Sequence, residues 1–552
     1  MHVIFRDYFG EKVALYYLWL GWYTRMLIPA AVIGIVVFLY GLAFFNTSPL
    51  IHEVCDSNII MCPRCDTRCS VWNLSDTCTY AKVSQLFDNE GTVAFAMFMA
   101  IWATLFLELW KRHRALHVSK WKVFDWCEEE EELILEIVNN PKCKTKEFRH
   151  SYLRSIVVLL LVTLVLVVII GLTHALVICR VLTATLLSQS KWEFLRENSS
   201  TVAMLSGAVL HYITIQVMTR VNKIVAFKLC EFEKPRSFAA TEKHFTVKMF
   251  TFQFFTLFSS LFYVAFFLGR INGYPGNYVR IAGQWRLEEL YLCICPTLIL
   301  KSNCKQKKFC DLVSSKWLPY RSLHPDGCYS LRNWMENYDL NDVNAFSLFN
   351  EFLEMVLQFS FTTIFVAAFP LAPLLALINN IFEIRLDAIK MVNLERRLVP
   401  KKTNDIGVWT RILEAVGVMA VIANGLVIGI SSDFIPRLVY RYHYGPLGNQ
   451  INTFMSNVHV KKDFKDLLDK EYNITQCSYK DYRSDEDQSL TSQFWLILAL
   501  RFAFVILFEH VVVMCKFIAA WFIPDNPIRV KNDRLDDKLR RLKKELDRST
   551  EV

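Results

Sequence analysis

"EFLEMVLQFSFTTIFVAAFPLAPLLALINNIFEIRLDAIK" (351–390) holds two apolar segments joined at "FPLAP", with Glu351, Glu354, Glu383 and Asp387 set symmetrically about the join. Pro370 and Pro373 interrupt helical hydrogen bonding, so the stretch reads as two helices and a turn. Residues 351 and 387 are equidistant from 369, and 354 and 383 nearly so. An antiparallel hairpin bent there brings all four acids to one depth. Spacings of three and four put each pair on one helix face, and Asn379 extends the second stripe by a turn. An acid at a bilayer centre costs roughly 2.5–3.5 kcal/mol on insertion scales, so such groups mark ion or proton sites. Four together repel unless protonated or neutralised. Hard divalent ions would balance them, and Ca²⁺ accepts carboxylate and amide oxygens in flexible geometry. The plainer alternative is a set of interfacial caps at helix ends, with Arg385 or Lys390 neutralising part of the charge.

The remaining sequence is equally apolar. Of 552 residues 53% are hydrophobic and 42 are Phe, too many for one soluble core, and the mean hydropathy is +0.26. Runs of about 18–25 apolar residues read as transmembrane helices. They fall near 25–45, 91–110, 155–179, 200–220, 247–268, 349–369, 372–393, 408–431 and 494–523. The expected class is an all-α polytopic membrane protein, a helical bundle with about nine clear spans. The opening "MHVIFRDYFGEKVALYYLWLGWYT" is charged and lacks the small-residue cleavage site of a signal peptide. The net charge of +9 does not argue for nucleic acid, because the basic residues cluster beside spans, in "WKRHRALHVSKWK" and "RVKNDRLDDKLRRLKKELDR". The positive-inside rule puts both on the cytosolic face. The second reads as an amphipathic helix, either a solvated stop-transfer element or a contact for lipid headgroups.

Cys55, Cys62, Cys65, Cys69 and Cys78 follow the first span, and Cys477 precedes the last; this even set suits three disulfides in an oxidising compartment. A zinc reading of "CPRC" lacks a second ligand pair. Sequons at Asn46, Asn73, Asn198 and Asn473 fall in the loops assigned to the outside. His174 and His211, in apparent spans, raise an intramembrane enzyme such as an acyltransferase, but neither has a second catalytic group at fixed spacing, so helix packing is the plainer role. No catalytic residue and no enzyme activity is assigned.

"RDYFGEKVALYYLWLGWYTRMLIPAAVIGIVVFLYG", "FDNEGTVAFAMFMAIWATLFLELWKR", the acidic hairpin, "DIGVW", "SDFIPRLVY" and "QCSYKDYR" occur in family order and resemble the anoctamins. Three shorter blocks, "HSYLRS", "GRINGYPG" and "RRLVPKKTNDIG", most resemble member seven of that family. The resemblance implies a ten-helix homodimer of the plasma membrane, acting on membrane phospholipids or chloride and on no nucleic acid. Its members are Ca²⁺-activated chloride channels or Ca²⁺-activated phospholipid scramblases. It implies Ca²⁺ on Glu351, Glu354, Glu383 and Asp387, with Asn379 as a further ligand, and a mobile sixth helix that reshapes a membrane-facing groove. It also places Cys477 on the same face as the 55–78 cluster, implying a disulfide between them. A weaker implied site joins Glu108 to Asp525, although Ile528 and Arg529 stand where its partner acid is expected.

Measured against the family pattern, the chain divides into a cytosolic pre-helix segment 1–24, helices one to five with the Cys-rich loop over 25–285, an aberrant segment 286–346 in place of the sixth helix, helices seven to ten over 347–523, and a basic cytosolic tail 524–552. The family's folded cytosolic domain is expected to be missing ahead of the first helix. "GQWRLEE" runs into "LYLCICPTLILKSNCKQKKFC", whose apolar part, 290–300, is too short to cross about 30 Å of hydrocarbon. Nine spans from a cytosolic N-terminus would leave the C-terminus outside, against the nine Lys and Arg of 529–552. The expected function is a Ca²⁺-dependent phospholipid scramblase, with a Ca²⁺-activated chloride channel second. A non-transporting partner of full-length anoctamins comes third. Lacking the sixth wall, the chain alone is expected to transport little or nothing in response to Ca²⁺ and to bind Ca²⁺ at least about tenfold more weakly than an intact relative.

Overall fold

The computed structural model describes residues 2–46, 48–62, 72–126, 151–188, 199–235, 237–267, 346–444, 455–459, 476–485 and 487–550, with isolated positions between. Nearly all of 286–346, including 290–300, lies outside them, as do Cys65, Cys69, Asn198 and Asn473.

In chain order the elements are helices α1 (His2–Phe9), α2 (Glu11–Ala43) and α3 (Pro49–Cys55), then strands β1 (Ile60–Met61) and β2 (Trp72–Asn73). Next come helices α4 (Cys78–Phe87), α5 (Glu90–Trp121), α6 (Tyr152–Ser188), α7 (Ser199–Glu233), α8 (Phe238–Phe266), α9 (Ser347–Ile364), α10 (Ala372–Ile389), α11 (Val408–Leu426) and α12 (Phe434–Tyr444). Strands β3 (Met455–His459) and β4 (Gln476–Lys480) precede the last helices, α13 (Ser492–Phe522) and α14 (Ile528–Thr550). Six of the described helical stretches are long and apolar enough to cross a membrane, as a multi-pass protein requires. Helices α9 and α10 are not among them, because each spends part of its 18 residues on the acids.

The first span starts at Glu11, not near 25, so the expected boundary at 24 falls inside a continuous helix. Val13 to Leu20 are at most 3% exposed, which makes this length apolar against protein. Gly10, at φ 86°, separates α1 from α2 in a conformation that favours glycine.

By its contacts the chain forms two units. The first comprises Met1–Phe148, Arg236–Thr246 and Val343–Val552; the second comprises Arg149–Pro235 and Val247–Asp342. In the first, α2 packs on α5 and α10, and α11 packs on α9, α5 and α13. Its core is aromatic: Tyr23, Phe106 and Phe359 meet with ring centroids 5.4–5.8 Å apart, and Phe352 stacks on Trp409 at 5.6 Å. In the second unit, α6 and α7 form a long hairpin joined to the later part of α8 by polar contacts. Asn222 Nδ2 donates to Thr256 Oγ1 at 3.1 Å, Thr219 Oγ1 to Gln253 Oε1 at 3.1 Å, and the hydroxyls of Thr173 and Ser259 meet at 2.7 Å. Such bonds hold helices together where apolar surface alone gives little preference for a partner.

The loops of the first unit carry a four-stranded sheet in the order β2-β1-β4-β3, with β1 parallel to β4 and the other pairs antiparallel. The sequence reading contains no strands here: β1 and β2 have only two residues each, and the five-residue β3, the partner of β4, lacks a clear apolar–polar alternation. Cys62 is bonded to Cys477 beside this sheet, so the expected link between the two loops is present; Cys55 is bonded to Cys78. Asn46 and Asn73 are both exposed.

Candidate metal centre

Helices α9 and α10 are the two arms read from 351–390. Between them a short 3₁₀ turn, Val366–Ala368, carries the chain into Pro370, and Pro373 sits in the first turn of α10, where its missing N–H does no harm. The turn is held from outside. Asn424 on α11 donates from Nδ2 to Thr363 O at 2.7 Å and to Ala420 O at 2.8 Å, and its Oδ1 accepts from Ala367 N at 3.4 Å. At Gly34 on α2 a Cβ would lie 2.3 Å from Pro370 O, so the backbones touch.

Closing the hairpin brings Glu351, Glu383 and Asp387 together: one oxygen from each lies within 4.8 Å of the others. Glu351 is 7% and Asp387 2% exposed. At 4.8 Å two carboxylates repel by roughly 3–4 kcal/mol at an effective dielectric near 20, so the cluster needs compensation. Two groups provide some. Tyr16 on α2 donates its hydroxyl to Asp387 Oδ2 at 2.5 Å, and Lys390 forms an ion pair with Glu351 while standing 3.6 Å from Glu395. Of the two basic side chains read as possible neutralisers, Lys390 therefore reaches the cluster and Arg385 is exposed.

Glu354 and Asn379 are exposed, and Glu354 is not among the three clustered acids. The reason for Asn379 is helical drift. Each four-residue step rotates about 40° past a full turn, so Asn379 lies about 80° from Asp387. Pro373, Ala376, Asn380 and Asp387 share the buried face instead. Asn380 is fully buried, and among the described residues neither its Oδ1 nor its Nδ2 has a hydrogen-bond partner.

The donor set suits a hard cation, because it is anionic, all oxygen and contributed by two helices. Zinc and other softer ions favour nitrogen or sulfur ligands. At the weaker candidate pair, Glu108 is buried and bound to Lys111 at 3.3 Å, which also reaches Glu414 at 2.9 Å, while Asp525 is exposed. Lysine already fills that position. His174 bonds through Nδ1 to Ile170 O and lies edge-on to Tyr263, a packing arrangement.

The profile described as "Anoctamin: Calcium-activated chloride channel" matches residues 5–537. The chain belongs to the anoctamin family. It is 51% identical to anoctamin-9 of Mus musculus, over 99% of this chain and 77% of the relative. It is 42% identical to anoctamin-4 of Homo sapiens, over 98% and 61%, and 36% identical to human anoctamin-5, over 96% and 64%. It thus spans under two thirds of anoctamins 4 and 5. The branch suggested by the three short blocks was member seven, and here the correction is to anoctamin-9; blocks of that length are too small a sample to rank anoctamins.

Proposed function

We propose that this anoctamin is a Ca²⁺-dependent phospholipid scramblase that holds Ca²⁺ on Glu351, Glu383 and Asp387, with Glu354 and Asn379 as outer oxygen donors. The observation that carries this reading is the convergence of three carboxylates from both arms of a hairpin within an apolar bundle. Ca²⁺, when bound, supplies the positive charge that lets those carboxylates stay together. Glu351 fixes one arm and Glu383 with Asp387 the other, so the relative position of α9 and α10 depends on how their repulsion is relieved. Tyr16 orients Asp387 from α2. A ligand that favours the closed arrangement shifts the population toward it by its difference in affinity for the two states. The groove for headgroups needs its sixth wall, so transport by this chain depends on what stands at 286–346.

The family description favours a second reading, chloride conduction. Reconstitution into vesicles separates the two. Fluorescent-lipid scrambling and chloride flux are measured, with and without Ca²⁺, for this chain and for a chimera carrying an intact anoctamin sixth helix in place of 286–346. We expect Ca²⁺-stimulated scrambling from the chimera, lost in Asp387→Asn, and little from the chain alone. Chloride flux without scrambling would establish the channel instead. Transport in neither form would leave the chain as a partner of other anoctamins.

A further inference from the structure

Lys390 occupies a position that the reading of the trio does not explain. Its ammonium is bound to Glu351, one of the three clustered acids, yet its side chain remains 40% exposed at the mouth of the cluster. It opens a π-helical turn, Lys390–Leu394, that ends at Glu395, whose N–H bonds back to Lys390 O at 3.0 Å. That widened turn sets Glu395 on the same side as Lys390, 3.6 Å from its Nζ. One ammonium therefore faces two carboxylates, one inside the cluster and one outside it. The Glu395 side chain is 17% exposed and the Glu351 side chain 8%, so both are sheltered enough for the pairing to matter.

We propose that Lys390 is a tethered competitor for the cation site, its ammonium neutralising Glu351 when no divalent ion is present and passing to Glu395 when one binds. The inference rests on the reading of the trio as a Ca²⁺ site. An ammonium and a divalent cation sharing a carboxylate repel each other, so Glu351 cannot serve both at full strength. A lysine is suited to exchange: it is a compact charge on a flexible four-carbon stem. Because it is attached to α10, its effective concentration at Glu351 is high and independent of the solution. Glu395 lowers the penalty for leaving. The apparent Ca²⁺ affinity of this site is then set by a residue that need not touch the ion.

The test is equilibrium binding of radioactive Ca²⁺ to the purified full chain, with Ca²⁺-dependent thermal stabilisation as a second readout. Lys390→Met is expected to tighten binding by about tenfold. Arg385→Met, which removes an exposed charge from the same helix, should change it by less than about twofold. Glu395→Gln should weaken binding by about threefold in the natural background and have no effect in Lys390→Met, a coupling that a general field effect does not produce. Equal effects of Lys390→Met and Arg385→Met would overturn the competition, and equal effects of Glu395→Gln in both backgrounds would overturn the transfer. If neither the natural chain nor Lys390→Met binds Ca²⁺, the site reading fails and this inference with it. Binding that Asp387→Asn abolishes and Lys390→Met leaves unchanged sinks the inference alone.

Discussion

Tyr16 serves the acid cluster without carrying a charge. Its ring packs edge-on to Phe352 at 4.9 Å, which fixes the hydroxyl over Asp387. A hydrogen bond to an ionised group contributes about 1.5–3 kcal/mol, more than a neutral one. Tyr16→Phe is accordingly expected to lower the midpoint of thermal unfolding measurably in Ca²⁺-free buffer. The shift should be smaller at saturating Ca²⁺, where the cation relieves the same repulsion. Equal shifts in both conditions would mean that the hydroxyl does not act on the cluster. Three of the four acids, Glu351, Glu383 and Asp387, come together as their spacing about residue 369 suggested, while Glu354, read from the same spacing, is exposed outside the cluster. Tyr16 was not legible, because its partner is 371 positions away and nothing local marks a tyrosine as a donor. Asn380 was not legible either: four-residue steps drift around a helix of 3.6 residues per turn, so the stripe that leads to Asn379 passes over the adjacent asparagine that turns inward.

Among the elements, the hairpin depends on a neighbour that the pattern of acids does not reveal. The prolines announce the bend, but α2 and α11 hold it, through the Gly34–Pro370 contact and the Asn424 amide. Gly34→Ala would press a methyl into a backbone carbonyl that has no rotamer to change. We expect a loss of about 1–3 kcal/mol, the usual cost of overpacking, seen as a fall of several degrees in the unfolding midpoint. Gly171→Ala on α6 is the matched control, since nothing lies within 4 Å of its added carbon, and it should be neutral or slightly stabilising. If the two variants behave alike, the contact at the turn is not holding the hairpin. Long apolar runs gave the helices because composition alone is enough for them. The start of α2 was missed because Glu11, Lys12 and Arg25 bracket its buried opening turns with charge.

At the scale of the whole molecule the long covalent link is Cys62–Cys477, whose ends stand 415 positions apart in the sequence. Loop-closure arguments put the stabilisation from so long a loop at about 6 kcal/mol, above the usual 2–4 kcal/mol for disulfides, before any loss from order already present in the unfolded chain. Peptide mapping without reduction should recover one fragment joining the segments that hold the two cysteines, and reduction should split it. Recovery of both thiols free, in protein prepared under oxidising conditions, would contradict the arrangement. The same bond carries information about biosynthesis. The sulfur of Cys62 must wait, unpaired, until the long stretch that separates it from Cys477 has been made and threaded. Two thiols can join only on one side of a bilayer, so an even number of crossings must separate them. A molecule that threads one helix too many or too few strands its cysteines on opposite sides. The bond is a parity check on insertion, recorded in each molecule that passes.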